Sequence, residues 1–153
     1  MSFSSSQGLA GRTFGGRYRL HDRIGAGAMG EVYAAEDDAG QAVAIKVLHE
    51  HALEDPALVA RFQREATIAM RIESPYVARV VEAGRERTGR LWIAFERLFG
   101  ESVETRLRRD GFLGFDEVAS IIEDVLHGLL AAHEVGVVHR DVRPANVFLE
   151  SAP

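Results

Sequence analysis

Lys46 is the only lysine among the chain's 18 basic residues, and it lies inside the apolar run Val43-Ala44-Ile45-Lys46-Val47-Leu48. An ammonium on a flexible stem is a compact charge, suited to gripping one phosphate or carboxylate oxygen, where arginine presents a planar fork. A single lysine at a strand end is ordinarily one whose stem snorkels to water. Three neighbours in the sequence argue for more. Gly25-Ala26-Gly27-Ala28-Met29-Gly30 spaces three glycines so that the backbone can make approaches a Cβ would block, and such a turn can lay its N–H groups along a polyphosphate. Glu65 puts a carboxylate on an otherwise apolar helix face. His139-Arg140-Asp141-Val142-Arg143-Pro144-Ala145-Asn146 gathers an acid, two arginines and an amide into one polar loop between apolar pairs expected to be buried. Each taken singly is a plain turn, a boundary residue or a solvated loop residue. The loop as a whole is poorly explained that way.

The elements that must position these residues follow from periodicity and turn chemistry. Tyr18, Leu20 and Ile24 give a broken period of two that predicts a strand entering the glycine turn, and Val32 and Ala34 predict a strand leaving it. Asp37-Asp38-Ala39-Gly40 is a turn ahead of the Lys46 strand. Asp55-Pro56 predicts a helix start, with Asp as N-cap and Pro at the first helical position; the helix runs to about Ile72, before Ser74-Pro75. At about 100° per residue, Leu58, Phe62, Ala69 and Ile72 form one stripe with Glu65 in its middle. A carboxylate there is costly unless a cation meets it, which predicts a Lys46–Glu65 pair. Val77–Ala83 and Leu91–Phe95 predict two further strands around the charged turn 85–90. The expected fold is therefore α+β, a five-stranded antiparallel sheet with one helix across it. Beyond a connector at Glu96-Arg97-Leu98-Phe99-Gly100, a short helix is predicted over Val103–Arg109 and a long one from Phe115-Asp116 to about Glu134, with Gly136 as its stop. Its apolar residues Val118, Ile121, Ile122, Val125, Leu126, Leu129 and Leu130 spread over roughly half its circumference. The short remainder of the chain cannot cover them, so helix 116–134 is expected to need a partner or further chain.

Two other phosphate-binding readings of the glycines compete. A Walker P-loop needs Lys-Ser/Thr straight after the last glycine, and Glu31-Val32 stands there. A Rossmann dinucleotide site is favoured by Glu50, 20 residues after Gly30. Against it, the turn at Asp37–Gly40 leaves at most two helical turns where a crossover helix needs more.

Composition bounds the rest. With 153 residues, 46% hydrophobic and 27% charged, the chain fits one ordinary soluble domain. A net charge of −5 offers no basic surface for nucleic acid or an anionic membrane. The absence of cysteine excludes disulfides, thiolate metal sites and thiol nucleophiles, and fits a reducing cytosol. No apolar run approaches the ~20 residues that span a bilayer, and Met1–Gly8 has neither the basic nor the apolar region of a signal peptide. A cytoplasmic protein is expected, with residues 1–16 as a loose polar tail.

In order along the chain, Ile24–Val32, Val43-Ala44-Ile45-Lys46, Arg64-Glu65-Ala66, Phe95-Glu96-Arg97-Leu98 and His139–Asn146 resemble the glycine-rich loop, strand lysine, helix glutamate, hinge and catalytic loop of bacterial eukaryotic-type (Hanks-type) serine/threonine protein kinases. The resemblance covers roughly Arg17 to Glu150, the N-terminal part of the catalytic domain. It implies an N-lobe and hinge over 17–98 and the start of a helical C-lobe over 99–153. Gly25, Ala26, Gly27, Ala28, Met29 and Gly30 would fold over the ATP phosphates, and Ile24 and Val32 would pack on adenine. Lys46 would hold the α- and β-phosphates, locked by Glu65. Backbone groups of Glu96 and Leu98 would hydrogen-bond the adenine edge, with Phe95 gating the pocket behind it. Asp141 would accept or orient the proton of the substrate hydroxyl, and Asn146 would hold one Mg²⁺. Such a reaction asks for alignment and charge neutralisation more than covalent chemistry. Protein Ser/Thr side chains and ATP are the implied partners.

Two departures bear on activity. Arg143 stands where the family usually has a lysine near the γ-phosphate; the charge survives, while the geometry is that of a guanidinium. The sequence also ends at Pro153, ahead of the Asp-Phe-Gly segment whose aspartate holds Mg²⁺ in the family. An N-terminal fragment of a kinase, inactive by itself, is the leading expectation. The alternative is a truncated pseudokinase acting as a nucleotide-binding or protein-interaction module.

Overall fold

Residues 8–151 are described by the computed structural model, and they divide into two compact units. One runs from the N-terminal side to Thr67 and includes Val80–Arg97; the other comprises Ile68–Arg79 and the chain from Leu98 on. Hairpins build the first unit. Strands β1 (Thr13–Phe14), β2 (Tyr18–Ala26), β3 (Gly30–Glu36), β4 (Ala42–Leu48), β5 (Val80–Arg85) and β6 (Leu91–Glu96) form one antiparallel sheet in the order β1-β2-β3-β4-β6-β5. Alternation along β4 decides its two faces: Val43, Ile45 and Val47 are buried, while Ala44 and Lys46 between them are half-buried. Ile45 stands opposite Tyr33 and Ala94, Val43 opposite Ala35, and Val47 opposite Trp92. Directly opposed residues share a face, so these side chains form one apolar layer with Tyr18 and Leu20.

That layer also contains Leu9 and Phe14. The expected loose tail to Gly16 is thereby corrected over its described part: Gly11 N–H donates to the Leu20 carbonyl at 2.7 Å, and Thr13 and Phe14 add a sixth strand to the five predicted. The physical reason is burial. Two large apolar side chains at Leu9 and Phe14 reach a sheet face that is otherwise open, and a two-residue strand is too short to show a period in the sequence. Residues 1–7 of that tail lie outside the described part.

Helix α1 (Pro56–Ala69) begins as the sequence predicts, with Asp55 Oδ1 accepting from Ala57 N–H at 2.8 Å and Pro56 at the first position. It ends at Ala69, so Ile72 is not on it. The second unit holds β7 (Gly100–Ser102), α2 (Val103–Asp110), α3 (Phe115–Glu134), a 3₁₀ turn at Pro144–Asn146 and β8 (Phe148–Glu150). Strands β7 and β8 pair, a two-stranded sheet the sequence did not predict. Ser102 caps α2 by accepting from Thr105 N–H at 3.1 Å. Helix α3 has the predicted bounds, and beyond it Gly136 N–H donates to the His133 carbonyl at 2.9 Å. It buries Gly128 and Ala132, with Gly128 facing the Tyr76 backbone and His127 stacked on the Tyr76 ring at 5.1 Å. Ile122, Leu126 and Leu130 remain exposed. Among the described residues no helix is long and apolar enough to cross a membrane.

Candidate active site

In the first unit, antiparallel pairing places Lys46 opposite Val32 on one side and Ile93 on the other, and Val32 is in turn opposite Gly25. Two residues along, Ala44 stands opposite Ala34 and Phe95. Lys46, Val32, Ala44 and Phe95 thus share the sheet face opposite the main apolar layer, with the glycine turn at one end. Ala44 and Ile93 were missed as members of this face. The signal was available for Ala44, since a period of two from Lys46 reaches it. Glu96 closes β6 opposite Val43, and Leu98 follows two residues on; both are half-buried.

The three glycines are not equivalent. A Cβ at Gly30 would collide with the Val47 carbonyl oxygen, so the fold itself demands glycine there. A Cβ at Gly25 would meet only Val32, at 3.7 Å, and one at Gly27 only the Gly30 oxygen, at 4.0 Å. Neither has a positive φ. Packing against β4 therefore accounts for Gly30, and no such contact accounts for Gly25 or Gly27. Beside Gly30, Glu31 accepts from the Tyr33 hydroxyl and from Arg23, both at 2.6 Å. The Tyr33 hydrogen bond, then Arg23, holds its carboxyl below the usual range, and the Arg23 guanidinium offsets a charge that would repel a phosphate.

Lys46 and Glu65 are not paired. Glu65 accepts from Arg61, one turn back on α1, at 2.8 Å, and its side chain is 46% exposed. The Lys46 ammonium lies 5.9 Å from the centre of the Phe62 ring, and among the described residues it forms no ion pair. The predicted pair and the buried position of Glu65 are both corrected. The stripe that centred on Glu65 counted Ile72, which lies past the helix end. With Phe62 and Ala66 as the buried residues of α1, the buried face is centred about 80° away from Glu65.

In the second unit the loop after α3 gathers its polar groups on Asp141. Asn146 donates through Nδ2 to the Asp141 carbonyl oxygen at 2.8 Å and to its carboxylate Oδ2 at 2.9 Å. Arg143 Nε lies 3.3 Å from the other carboxylate oxygen. The Asp141 N–H donates to His139 Nδ1 at 3.2 Å. Arg140, between them, holds φ 61°, the left-handed region that costs a non-glycine residue roughly 1–2 kcal/mol. The loop is anchored behind by β8, where Val103 N–H donates to the Val147 carbonyl at 2.9 Å and Ser151 N–H to that of Phe99 at 2.7 Å. The apolar flanks are less covered than predicted: Val138 and Phe148 are exposed. The Asp141 side chain stays 61% exposed, available to a reacting group. With its amide nitrogen committed to Asp141, Asn146 keeps Oδ1 free of those two bonds, a hard oxygen fit for Mg²⁺. Among the described residues no cluster of three His, Asp or Glu side chains could hold a metal unaided, and Mg²⁺ at phosphates needs only one or two protein oxygens.

A family model described as "Protein kinase domain" matches residues 18–153. The chain belongs to the protein kinase family. It is 38% identical over 141 residues to the serine/threonine-protein kinase pkn3 of Myxococcus xanthus, covering 92% of this chain and 26% of that protein. It is 36% identical over 137 residues to PknE of Mycobacterium tuberculosis, covering 89% of this chain and 24% of PknE. The chain thus spans about a quarter of the length of these curated relatives. Among solved structures, the PknI kinase domain of M. tuberculosis superposes with a TM-score of 0.79 at 35% identity, covering 98% of this chain and 60% of that one. The kinase fold expected from the resemblance is accordingly that of this chain, with its antiparallel N-lobe sheet carrying one strand more than predicted.

Proposed function

We propose that this kinase chain supplies the ATP-binding sheet and the catalytic loop of a protein serine/threonine kinase that transfers the γ-phosphoryl group of ATP to a Ser or Thr hydroxyl. The observation that carries the reading is the Asp141 cluster: an exposed carboxylate held by Asn146 and flanked by Arg143. A carboxylate so fixed can take or orient the hydroxyl proton while the hydroxyl oxygen attacks the γ-phosphorus and the bond to the leaving ADP oxygen breaks. Asn146 Oδ1 would hold Mg²⁺, which neutralises phosphate charge. Gly25 and Gly27 would give the phosphates their approach, Lys46 would meet the α- and β-phosphates, Ile24 and Val32 would cover the adenine, and backbone groups of Glu96 and Leu98 would bond its edge. A cytoplasmic location suits a consumer of ATP and a chain without cysteine. Glu65 would reach Lys46 after leaving Arg61, an exposed pair worth about 0.3–0.5 kcal/mol that yields easily.

A second reading, a nucleotide-binding or interaction module without turnover, is favoured by two observations: Glu65 sits on Arg61, and the α3 face bearing Ile122, Leu126 and Leu130 is uncovered. A partner, or further chain, covering helix 116–134 belongs to either reading. Transfer of labelled γ-phosphate to a Ser/Thr-containing protein, measured on the protein expressed from the whole gene, decides between them. The kinase reading expects turnover that falls about 10²–10⁴-fold in Asp141→Asn with ATP binding retained. ATP binding without any transfer supports the module, and the isolated 153-residue chain is expected to show no robust turnover.

A further inference from the structure

His49, directly after β4, grips the glycine turn at two points. Its backbone N–H donates to the Met29 carbonyl at 3.0 Å, and its ring Nε2 lies 2.9 Å from the Gly27 carbonyl oxygen. The turn is closed across its base by Gly27 N–H donating to the Gly30 carbonyl at 2.9 Å. The His49 ring is also stacked on that of His51, at 5.1 Å with 20° between the planes. A carbonyl oxygen only accepts, so Nε2 must carry the hydrogen, and both the neutral Nε2–H tautomer and the imidazolium supply it.

We infer that His49 is a positioning residue for the phosphate-binding turn, fixing the Gly27–Ala28 peptide plane so that the Ala28 N–H faces an anionic ligand. The argument is one of covalent geometry. No peptide among the described residues is cis, and in a trans peptide the N–H points opposite to the C=O. With the Gly27 oxygen drawn onto His49, the Ala28 N–H is turned away from His49 and off β4. Glycine at 27 has no Cβ to limit this plane, and the Gly27 N–H bond to the Gly30 carbonyl holds the peptide before it, Ala26–Gly27, rather than Gly27–Ala28. An unrestrained glycine turn loses rotational freedom when it closes on a ligand; a pinned one has less to lose. The effect therefore belongs to phosphate recognition and leaves the adenine face, built on β3, β4 and β6, alone.

This inference rests on the nucleotide-binding reading, and the test separates the two. Binding of MgATP and of adenosine is measured by titration calorimetry on the wild-type protein and on His49→Asn and His49→Gln, with thermal melts as a check on folding. Both substitutions keep an amide donor, but only the glutamine side chain has the reach of Nε2. His49→Asn is expected to weaken MgATP roughly 3- to 10-fold, the range of one neutral hydrogen bond, with adenosine unchanged and His49→Gln close to wild type. Equal losses for ATP and adenosine would mean a general structural role and would overturn the inference, as would an asparagine variant that binds ATP like wild type or a glutamine variant no better than asparagine. A wild-type protein that binds neither ligand would overturn the nucleotide reading and the inference with it.

Discussion

Tyr18 is wholly buried in the first unit, and its hydroxyl donates to Glu82 at 2.7 Å. Burial first, and then the hydrogen bond to Glu82, pushes its phenol up to about 12. A folded-state value above the unfolded one near 10 means a stabilising contribution that is complete below pH 10. It is lost as the pH rises through 10 toward 12, where the unfolded chain releases a proton the folded one retains. Urea melts between pH 8 and pH 12 are expected to show stability falling over that window, and Tyr18→Phe is expected to flatten the fall. A variant with the same alkaline slope as wild type would assign the loss to other groups. Of the candidate site residues, Lys46, Asp141 and Asn146 stood out in the sequence, because each is a polar residue inside an informative neighbourhood. Glu65 was legible as a residue and misread in its surroundings. Helical phase is only as good as the helix boundary, and a three-residue overrun at the C-terminus of α1 moved the calculated stripe onto it.

Among the elements, the hairpin β2–β3 joins the fold to the proposed chemistry, since the turn that packs against β4 is also the one proposed to receive a phosphate. The close contact with β4 falls on Gly30 and not on Gly25. Gly30→Ala is expected to destabilise the protein by about 1–3 kcal/mol, because the added methyl drives into the Val47 carbonyl and either strand must shift. Gly25→Ala places its methyl in ordinary contact with Val32, so stability should stay within about 1 kcal/mol while MgATP binding weakens. Chemical denaturation paired with calorimetric titration checks both, and equal destabilisation by the two changes would sink the division. The elements with their own local signals were legible in advance: the Asp55-Pro56 start of α1, all of α3, and the strands around Lys46 and Leu91. Strands β1, β7 and β8 were not. They are two or three residues long, and it is tertiary pairing that makes them strands, as Gly100 through Ser102 find Phe148 through Glu150 across more than forty residues of chain.

At the scale of the whole molecule, the two units differ in how well they cover themselves. The first has an apolar layer continuous from Leu9 to Ala94. The second leaves Leu126 59% and Leu130 57% exposed on α3, with Phe115 and Ile122 of the same helix exposed as well. A soluble surface seldom carries a contiguous apolar face of this kind unpartnered, and a net charge of −5 is a weak barrier to association once such faces meet. The isolated 153-residue chain is therefore expected to self-associate through α3. Replacing Leu126 and Leu130 together by glutamine keeps the charge and the helical propensity and removes the apolar stripe. Sedimentation velocity over a tenfold or wider concentration range should show the wild-type chain growing in mass and the double variant staying monomeric, with unchanged helical circular dichroism. A wild-type chain that remains monomeric throughout would show that this face is tolerated in water, and the case for a covering partner on α3 would then lose its physical basis.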